Sequence, residues 1–115
     1  MSNVGDLAKW MQALHRGKVL DSEIYSQMIM PVDFRTGKSA KQGYGLGTFV
    51  WQTELGEFVG HAGMMPGYLT QIEYSRKHGF SLAYQMNTDQ GSNRRNHSHV
   101  VNFAKIVTEY IENNR

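Results

Sequence analysis

Apolar residues near the start of the chain recur at helical spacing. Those separated by three or four positions are Val4, Leu7, Met11 and Leu14. This spacing predicts a helix that turns one apolar face toward the rest of the protein. Asn3 and Asp6 have the separation of a helix-capping pair. Gly17 is placed to end the helix, because glycine accepts the left-handed backbone that follows a last turn.

Two further segments have helical patterns. A short helix is predicted from a cap at Asp21 or Ser22 to about Met30, where Pro31 favours a stop. A longer helix is predicted over about residues 97–112. Its apolar stripe consists of Val100, Phe103, Ala104, Val107, Tyr110 and Ile111.

Between these helices the chain is typical of strands joined by tight turns. Strand-like runs occupy residues 44–52, 58–63 and 68–74, and residues 80–86 alternate in places between apolar and polar side chains. The connections are short, which favours antiparallel hairpins over crossovers. The order of elements predicts an α+β fold, in which an antiparallel sheet of about three strands is flanked by N-terminal helices and a C-terminal helix. We expect residues 1–115 to form a single domain.

Composition fits a globular domain and excludes several functions. Hydrophobic residues make up 40% of the 115 residues and charged residues 19%. The net charge of +2 is too small to favour a partner such as nucleic acid or an anionic membrane. The absence of cysteine excludes disulfides, zinc–thiolate sites and thiol catalysis. No apolar run is long enough to predict a membrane-spanning helix, and Trp10, Trp51 and Tyr110 are expected to pack in the core.

One segment is specific enough to indicate a family. Residues 60–68 read GHAGMMPGY, residues 44–47 read YGLG, and residues 2–10 read SNVGDLAKW. In this order and spacing, the three segments resemble the class C β-lactamase-like family, which includes class C β-lactamases, D-alanyl-D-alanine carboxypeptidases, D-aminopeptidases and related esterases. The resemblance extends from Ser2 to about Asp89 and implies part of a β-lactamase/transpeptidase-like fold.

Enzymes of this family carry three active-site elements, of which this sequence holds one. The elements are Ser-x-x-Lys, then Tyr-x-Asn or Ser-x-Asn, and finally Lys-Thr-Gly or His-x-Gly. Residues 61–63, His-Ala-Gly, match the third element. No serine here is followed three positions later by lysine, and no tyrosine is followed two positions later by asparagine. Because both elements precede this region in the family, we expect the chain to be the C-terminal part of a β-lactamase-like domain, truncated at its N-terminus.

The resemblance implies roles for five residues. His61 would join the hydrogen-bond network of the site, in proton transfer or carboxylate recognition; the alternative is a structural histidine bonded to a neighbour at a strand end. Gly63 would let the strand approach the substrate closely. The backbone N–H of Met64 would be one oxyanion donor, although the family often has Ser or Thr at this position. Ala62 and Tyr68 would contact substrate, with a core position as the alternative for Tyr68.

Other patterns have weaker interpretations. Residues 35–37, Arg-Thr-Gly, imitate Lys-Thr-Gly but lie in a loop before the first strand, and residues 77–79 are typical of a turn. The glycines of residues 43–47 lack the spacing of a dinucleotide-binding loop. His97 and His99 would point apart on a helix. We therefore expect no metal and no cofactor.

The favoured function is that of a fragment of a serine hydrolase. Such a hydrolase cleaves an amide or ester bond of a small-molecule or peptide substrate through an acyl-enzyme. The chain alone is expected to be inactive, because it lacks the Ser-x-x-Lys nucleophile. The alternative is a stand-alone, non-catalytic binding or assembly module with the same fold. Strand edges left open by truncation predict a homo-oligomer, with or without swapped elements. The resemblance implies the bacterial periplasm or secretion, and the residues themselves leave the cytoplasm open.

Overall fold

The computed structural model describes residues 2–88 and 95–114, and of residues 95–100 it describes the backbone alone. The helices in these ranges are α1 (Val4–His15), α2 (Ser22–Met28) and α3 (Arg95–Asn113). None of them is both long and apolar enough to cross a lipid bilayer. The strands in the same ranges are β1 (Gly43–Tyr44), β2 (Phe49–Thr53), β3 (Gly56–Met65), β4 (Tyr68–Ser75) and β5 (Ser81–Met86).

The first two helices begin at the predicted caps. The side-chain oxygen of Asn3 accepts a hydrogen bond of 3.0 Å from the backbone N–H of Asp6, and the Asn3 amide donates one of 2.8 Å to the Asp6 carboxylate. Gly17, with φ of 71°, adopts the left-handed backbone just beyond α1. The carboxylate of Asp21 accepts a hydrogen bond from the N–H of Ile24 and so caps α2. Each cap satisfies a backbone donor that the helix itself leaves unpaired.

The strands form one antiparallel sheet in the order β1-β2-β3-β4-β5. The antiparallel hairpins confirm the predicted α+β class, but the described part of the chain holds five strands and not about three. Gly45 and Gly47 interrupt the first predicted run, so it divides into β1 and β2. The weakly alternating run near residue 83 is a full partner of β4. Sequence alternation was weak there because side chains on both faces of β5 are half-buried.

Both faces of the sheet are covered by helices. On one face, α1 contributes to a buried cluster of Met11, Val50, Val59 and Tyr74, with Ile29 and Ile72 packed at its margin. On the other face, Ala104 of α3 lines a small cavity together with Phe58 and Trp51. Successive strand residues point to opposite faces. Phe58 and Val59 are therefore neighbours in sequence that are both buried, one in each layer.

Two of the three aromatic residues expected in the core lie on the surface instead. Trp10 is 51% exposed and Tyr110 is 70% exposed, whereas Trp51 is half-buried. The inner face of α3 is formed by Ala104 and Thr108, both of which are buried. Within the predicted apolar stripe, Ala104 is buried and Val107 and Ile111 are half-buried, whereas Phe103 and Tyr110 are exposed.

Candidate functional site

The His-Ala-Gly segment lies on a part of β3 that has a strand on one side only. β2 pairs with β3 as far as Gly60, which lies opposite Phe49. From His61 to Met65, β3 pairs with β4 alone. Over this stretch no strand among the described residues covers the other edge of β3. We call this stretch the open edge of β3.

The direction of the backbone groups on the open edge follows from one contact. The carbonyl of Gly60 accepts a hydrogen bond of 3.0 Å from the hydroxyl of Thr48, on the β2 side of the strand. In an antiparallel strand, the N–H and C=O of one residue point to the same side, and the side alternates from residue to residue. The N–H groups of Ala62 and Met64 therefore point to the open edge. Each is a free backbone donor as far as strand pairing is concerned.

His61 is fixed by a hydrogen bond to a second strand. Its Nε2 atom lies 2.9 Å from the hydroxyl oxygen of Tyr44, across 17 positions of sequence. The ring is half-buried. Within residues 2–88 and 95–114, the other ring nitrogen, Nδ1, makes no hydrogen bond. The bond to Tyr44 fits the expectation of a histidine in a hydrogen-bond network and equally the structural alternative.

Tyr44 is held rigidly by its own backbone. It exchanges two hydrogen bonds with Val32, of 3.0 and 3.1 Å. The glycines on either side allow close packing: a Cβ atom on Gly43 would lie 2.1 Å from the carbonyl oxygen of Val32, and one on Gly45 would lie 2.1 Å from that of Met28. Any larger residue at either position would displace the backbone that carries Tyr44.

An aromatic group surrounds His61, and the sequence analysis did not identify it. The ring of Phe49 lies 5.3 Å from that of His61 and 4.8 Å from that of Tyr44, measured between centroids. Phe34 and Trp51 extend the group, at 5.8 Å each from Phe49. The available signal was the concentration of aromatic residues between positions 44 and 51, but their convergence on His61 depends on the sheet register.

Gly63 faces open space. A Cβ atom built there would meet no other atom within 4 Å, and its backbone is not in the left-handed region. Neither packing nor backbone geometry in the described residues therefore requires glycine at this position. The vacant volume beside the strand remains available for a ligand.

Ala62, Met64 and Tyr68 are all exposed. The structure does not bring Tyr68 close to His61, because Tyr68 pairs with Met65 at the far end of the hairpin. Met65 lies four positions along the extended strand from His61, which is about 13 Å. Tyr68 instead lines a groove of about 790 Å³ together with Leu69 and Met86. A substrate would have to be extended to contact both His61 and Tyr68.

A buried carboxyl group lies beneath α3, outside the open edge. Glu73 is 1% exposed, and burial raises its pKa to about 8, while hydrogen bonds from Gln71 and Trp51 offset only part of this shift. Its Oε2 atom accepts no hydrogen bond from the described residues. At neutral pH this side chain is therefore mostly protonated.

A half-buried histidine lies on the opposite face. The ring of His15 stacks on Tyr74 at 4.9 Å and is 2.9 Å from the hydroxyl of Tyr25 through Nδ1. Burial, with a smaller effect from the charge of Arg76, lowers its pKa to about 4. His15 is therefore neutral at physiological pH.

The weaker sequence patterns lie in turns, as predicted. Residues 35–37 are exposed, and the Asp33 carboxylate accepts backbone hydrogen bonds from Arg35 and Thr36. Residues 77–79 belong to the connection after β4. The side chains of His97 and His99 lie outside the described residues. Elsewhere, in residues 2–88 and 101–114, no group of three or more His, Asp or Glu side chains is arranged to hold a metal ion.

Comparison with protein families gives a match over most of the sequence. Residues 1–104 match the family model described as Beta-lactamase. No curated protein sequence matches the chain.

Three solved structures are similar in fold. The D-stereospecific amidohydrolase from Streptomyces sp. is 30% identical with a TM-score of 0.64, over 74% of this chain and 25% of that protein. The D-amino acid amidase from Ochrobactrum anthropi SV3, complexed with D-phenylalanine, is 24% identical with a TM-score of 0.63, over 80% and 31%. The octameric penicillin-binding protein homologue from Pyrococcus abyssi is 26% identical with a TM-score of 0.61, over 76% and 21%. The chain thus corresponds to between about a fifth and a third of the length of these proteins.

Proposed function

Because the chain belongs to the beta-lactamase family, we propose that it forms one wall of the active site of a serine hydrolase that cleaves amide or ester bonds. The open edge of β3 carries this proposal. There the His61 ring, the vacant space at Gly63 and the outward N–H of Met64 lie within four consecutive residues. This arrangement provides a polar ring, room for a ligand and a backbone donor on one surface.

Each feature has a part in acyl transfer. Attack on a carbonyl group places negative charge on its oxygen, and the N–H of Met64 stabilises that charge. One such donor lowers the barrier by about 3 kcal/mol in comparable sites. Because this donor belongs to the backbone, the absence of Ser or Thr at position 64 leaves it intact. Gly63 admits the substrate close to the strand, and His61 contacts its polar groups.

The nucleophile is supplied by a segment outside residues 1–115. In the proposed reaction, a serine hydroxyl adds to the carbonyl carbon while its proton passes to a neighbouring lysine. The bond to the leaving group then breaks, the leaving group takes up the proton, and water later hydrolyses the ester of the acyl-enzyme. This sequence holds no Ser-x-x-Lys. We therefore expect no acyl-enzyme from the chain by itself.

An amide is the favoured substrate bond. The structural relative with the highest identity among those above is named a D-stereospecific amidohydrolase, and it is 30% identical over the matched part. A small-molecule or peptide amide also fits an open, solvent-facing strand edge better than a deeply buried apolar ligand would.

Covalent labelling tests the proposal. The product of the gene that encodes residues 1–115, expressed in its full reading frame, is incubated with a fluorescent fluorophosphonate. We expect stoichiometric labelling of a serine that lies outside these residues, and slower labelling in His61→Ala. His78→Ala, which changes a histidine in the turn after β4, is the matched control and keeps the wild-type rate. A labelled serine within residues 1–115, or equal rates in all three proteins, would contradict the proposal.

The second candidate is a non-catalytic binding or assembly module. Two observations favour it. The sequence holds neither Ser-x-x-Lys nor Tyr-x-Asn, and the apolar end of the β3–β4 hairpin is exposed, with Met64 and Met65 each 69% exposed. A full-length gene product that takes up no fluorophosphonate while remaining folded would favour this candidate over the hydrolase.

A further inference from the structure

The bond between Tyr44 and His61 assigns a role to a residue that belongs to none of the three family elements. We propose that Tyr44 is the positioning residue of the candidate site: its hydroxyl donates to Nε2 of His61 and so holds the neutral ring with its proton on Nδ1. The functional part of this inference rests on the proposed hydrolase, whereas the hydrogen bond and its direction do not.

The chemistry of the two groups sets the direction of the bond. A tyrosine hydroxyl is able to donate or accept, and a neutral imidazole has one nitrogen of each kind. A phenol O–H is more acidic than a neutral imidazole N–H, and an imidazole nitrogen is a better acceptor than a phenol oxygen. The stronger arrangement is therefore O–H to Nε2. It also uses the only hydroxyl proton of Tyr44, which has no other acceptor among the described residues.

The rigid placement of Tyr44 allows its hydroxyl to fix the tautomer of His61. Its backbone is fixed by two hydrogen bonds to Val32 and by the close packing of Gly43 and Gly45. Its ring is fixed by the edge-on contact with Phe49 at 4.8 Å. A donor on a rigid support selects one tautomer of its acceptor, because the tautomer with its proton on Nε2 would replace the stronger O–H to nitrogen bond by a weaker N–H to oxygen bond.

A defined recognition property follows for His61. With Nε2 occupied, the neutral ring presents an N–H at Nδ1, which is a hydrogen-bond donor. His61 then binds an oxygen acceptor of the substrate, such as a carboxylate or an amide carbonyl, and does not remove a proton through that atom. An asparagine amide nitrogen lies close to the position of Nδ1, and a glutamine amide nitrogen lies close to that of Nε2. His61→Asn should therefore retain more activity than His61→Gln.

Nuclear magnetic resonance of the 115-residue chain tests the tautomer directly. Two-bond hydrogen–nitrogen correlations of His61 are recorded at pH 8.5 for the wild type, Tyr44→Phe and Tyr110→Phe. Tyr110 is 70% exposed, so its variant removes an uninvolved hydroxyl. We expect Nδ1 to carry the proton in the wild type and in Tyr110→Phe, and a mixture of tautomers in Tyr44→Phe. A proton on Nε2 in the wild type, or the same tautomer in all three proteins, would overturn the proposal. The wild-type spectrum decides even where Tyr44→Phe does not fold.

Kinetics of the full-length gene product separate the two proposals. We expect Tyr44→Phe to lower kcat/KM on the order of tenfold, as loss of an orienting partner commonly does, and to have no further effect in a His61→Ala background. If His61→Ala leaves kcat/KM unchanged while the tautomer depends on Tyr44, the proposed function fails and the hydrogen bond is structural. If His61→Ala is slow but Tyr44→Phe changes neither the tautomer nor the rate, only the present inference fails.

Discussion

Gln71 donates a hydrogen bond of 2.6 Å to one oxygen of Glu73, while the other oxygen of that carboxyl group has no partner among the described residues. The two side chains project from β4 two positions apart, so they share one face of the sheet. That face is covered by α3, which contributes Ala104 to the enclosure around Glu73. The hydrogen bonds from Gln71 and Trp51 compensate only part of the cost of burying a charge there.

The buried carboxyl group predicts a loss of stability as pH rises from 4.5 to 8. The pKa of Glu73 is about 8 in the folded chain and near 4.5 when exposed. The folded state therefore binds one more proton between these values, and the free energy of unfolding falls as pH rises through this window, by about 1.4 kcal/mol per pH unit. Thermal unfolding between pH 6.5 and 8 measures the slope. Glu73→Gln should flatten it, whereas the exposed control Glu112→Gln should not; an unchanged slope in Glu73→Gln would refute the assignment.

His15 predicts the opposite trend at acid pH. Its pKa is about 4 in the folded chain and 6.5 when exposed. The unfolded state therefore binds the extra proton in this window, so this contribution to stability is lost as pH falls from 6.5 toward 4. Between pH 4.5 and 6.5 the effects of His15 and Glu73 oppose each other, and wild-type stability should vary little. In Glu73→Gln the acid loss becomes visible, and the double variant with His15→Gln should lack it. A steep acid loss that persists in the double variant would assign the effect to other groups.

Two glycines of β3 should respond oppositely to alanine. A Cβ atom on Gly60 would lie 2.1 Å from the carbonyl oxygen of Ile72, so Gly60→Ala should lower the free energy of unfolding by at least about 2 kcal/mol. A Cβ atom on Gly63 meets no atom within 4 Å, so Gly63→Ala should change stability by less than about 0.5 kcal/mol. Chemical denaturation measures both. In the full-length gene product, Gly63→Ala should nevertheless slow labelling, because the new methyl group occupies the space proposed for substrate. Wild-type labelling by Gly63→Ala would argue against that use of the space.

The free edge of β5 predicts self-association. β5 is the last strand of the sheet, and no strand among the described residues pairs with its outer side. Such edges tend to recruit a second chain, and one structural relative is octameric. Light scattering over a range of concentrations should detect oligomers. The carbonyl of Phe80 accepts a hydrogen bond from the N–H of Ser75, so the backbone groups of Phe80 point toward β4. Because the side alternates from residue to residue, the N–H of Ala83 points away from β4. Ala83→Pro should then reduce association without removing a bond to β4. A wild-type chain that stays monomeric at high concentration would contradict the prediction.

The sequence predicted the local features of the fold better than the relationships across it. Helix α1 and its Asn3 cap follow from spacing within a few residues, and the His-Ala-Gly segment follows from a motif. The contact between Tyr44 and His61 depends on the register of three strands and on the close approach of β1 to Val32, which no local pattern encodes. Likewise, a glutamate in a strand is ordinarily exposed, and the burial of Glu73 becomes evident only once α3 is placed over the sheet.

The open edge of β3 also has a consequence for assembly. Its supports, from Val32 to Ile72, are close in sequence, and contacts at short separation cost little chain entropy to form. If the proposed function holds, this wall of the site forms whenever the sheet folds, independently of where the serine resides. Hydrolysis would then require this chain to associate with the segment that carries the serine. The two would behave as a split enzyme, in which activity measures association.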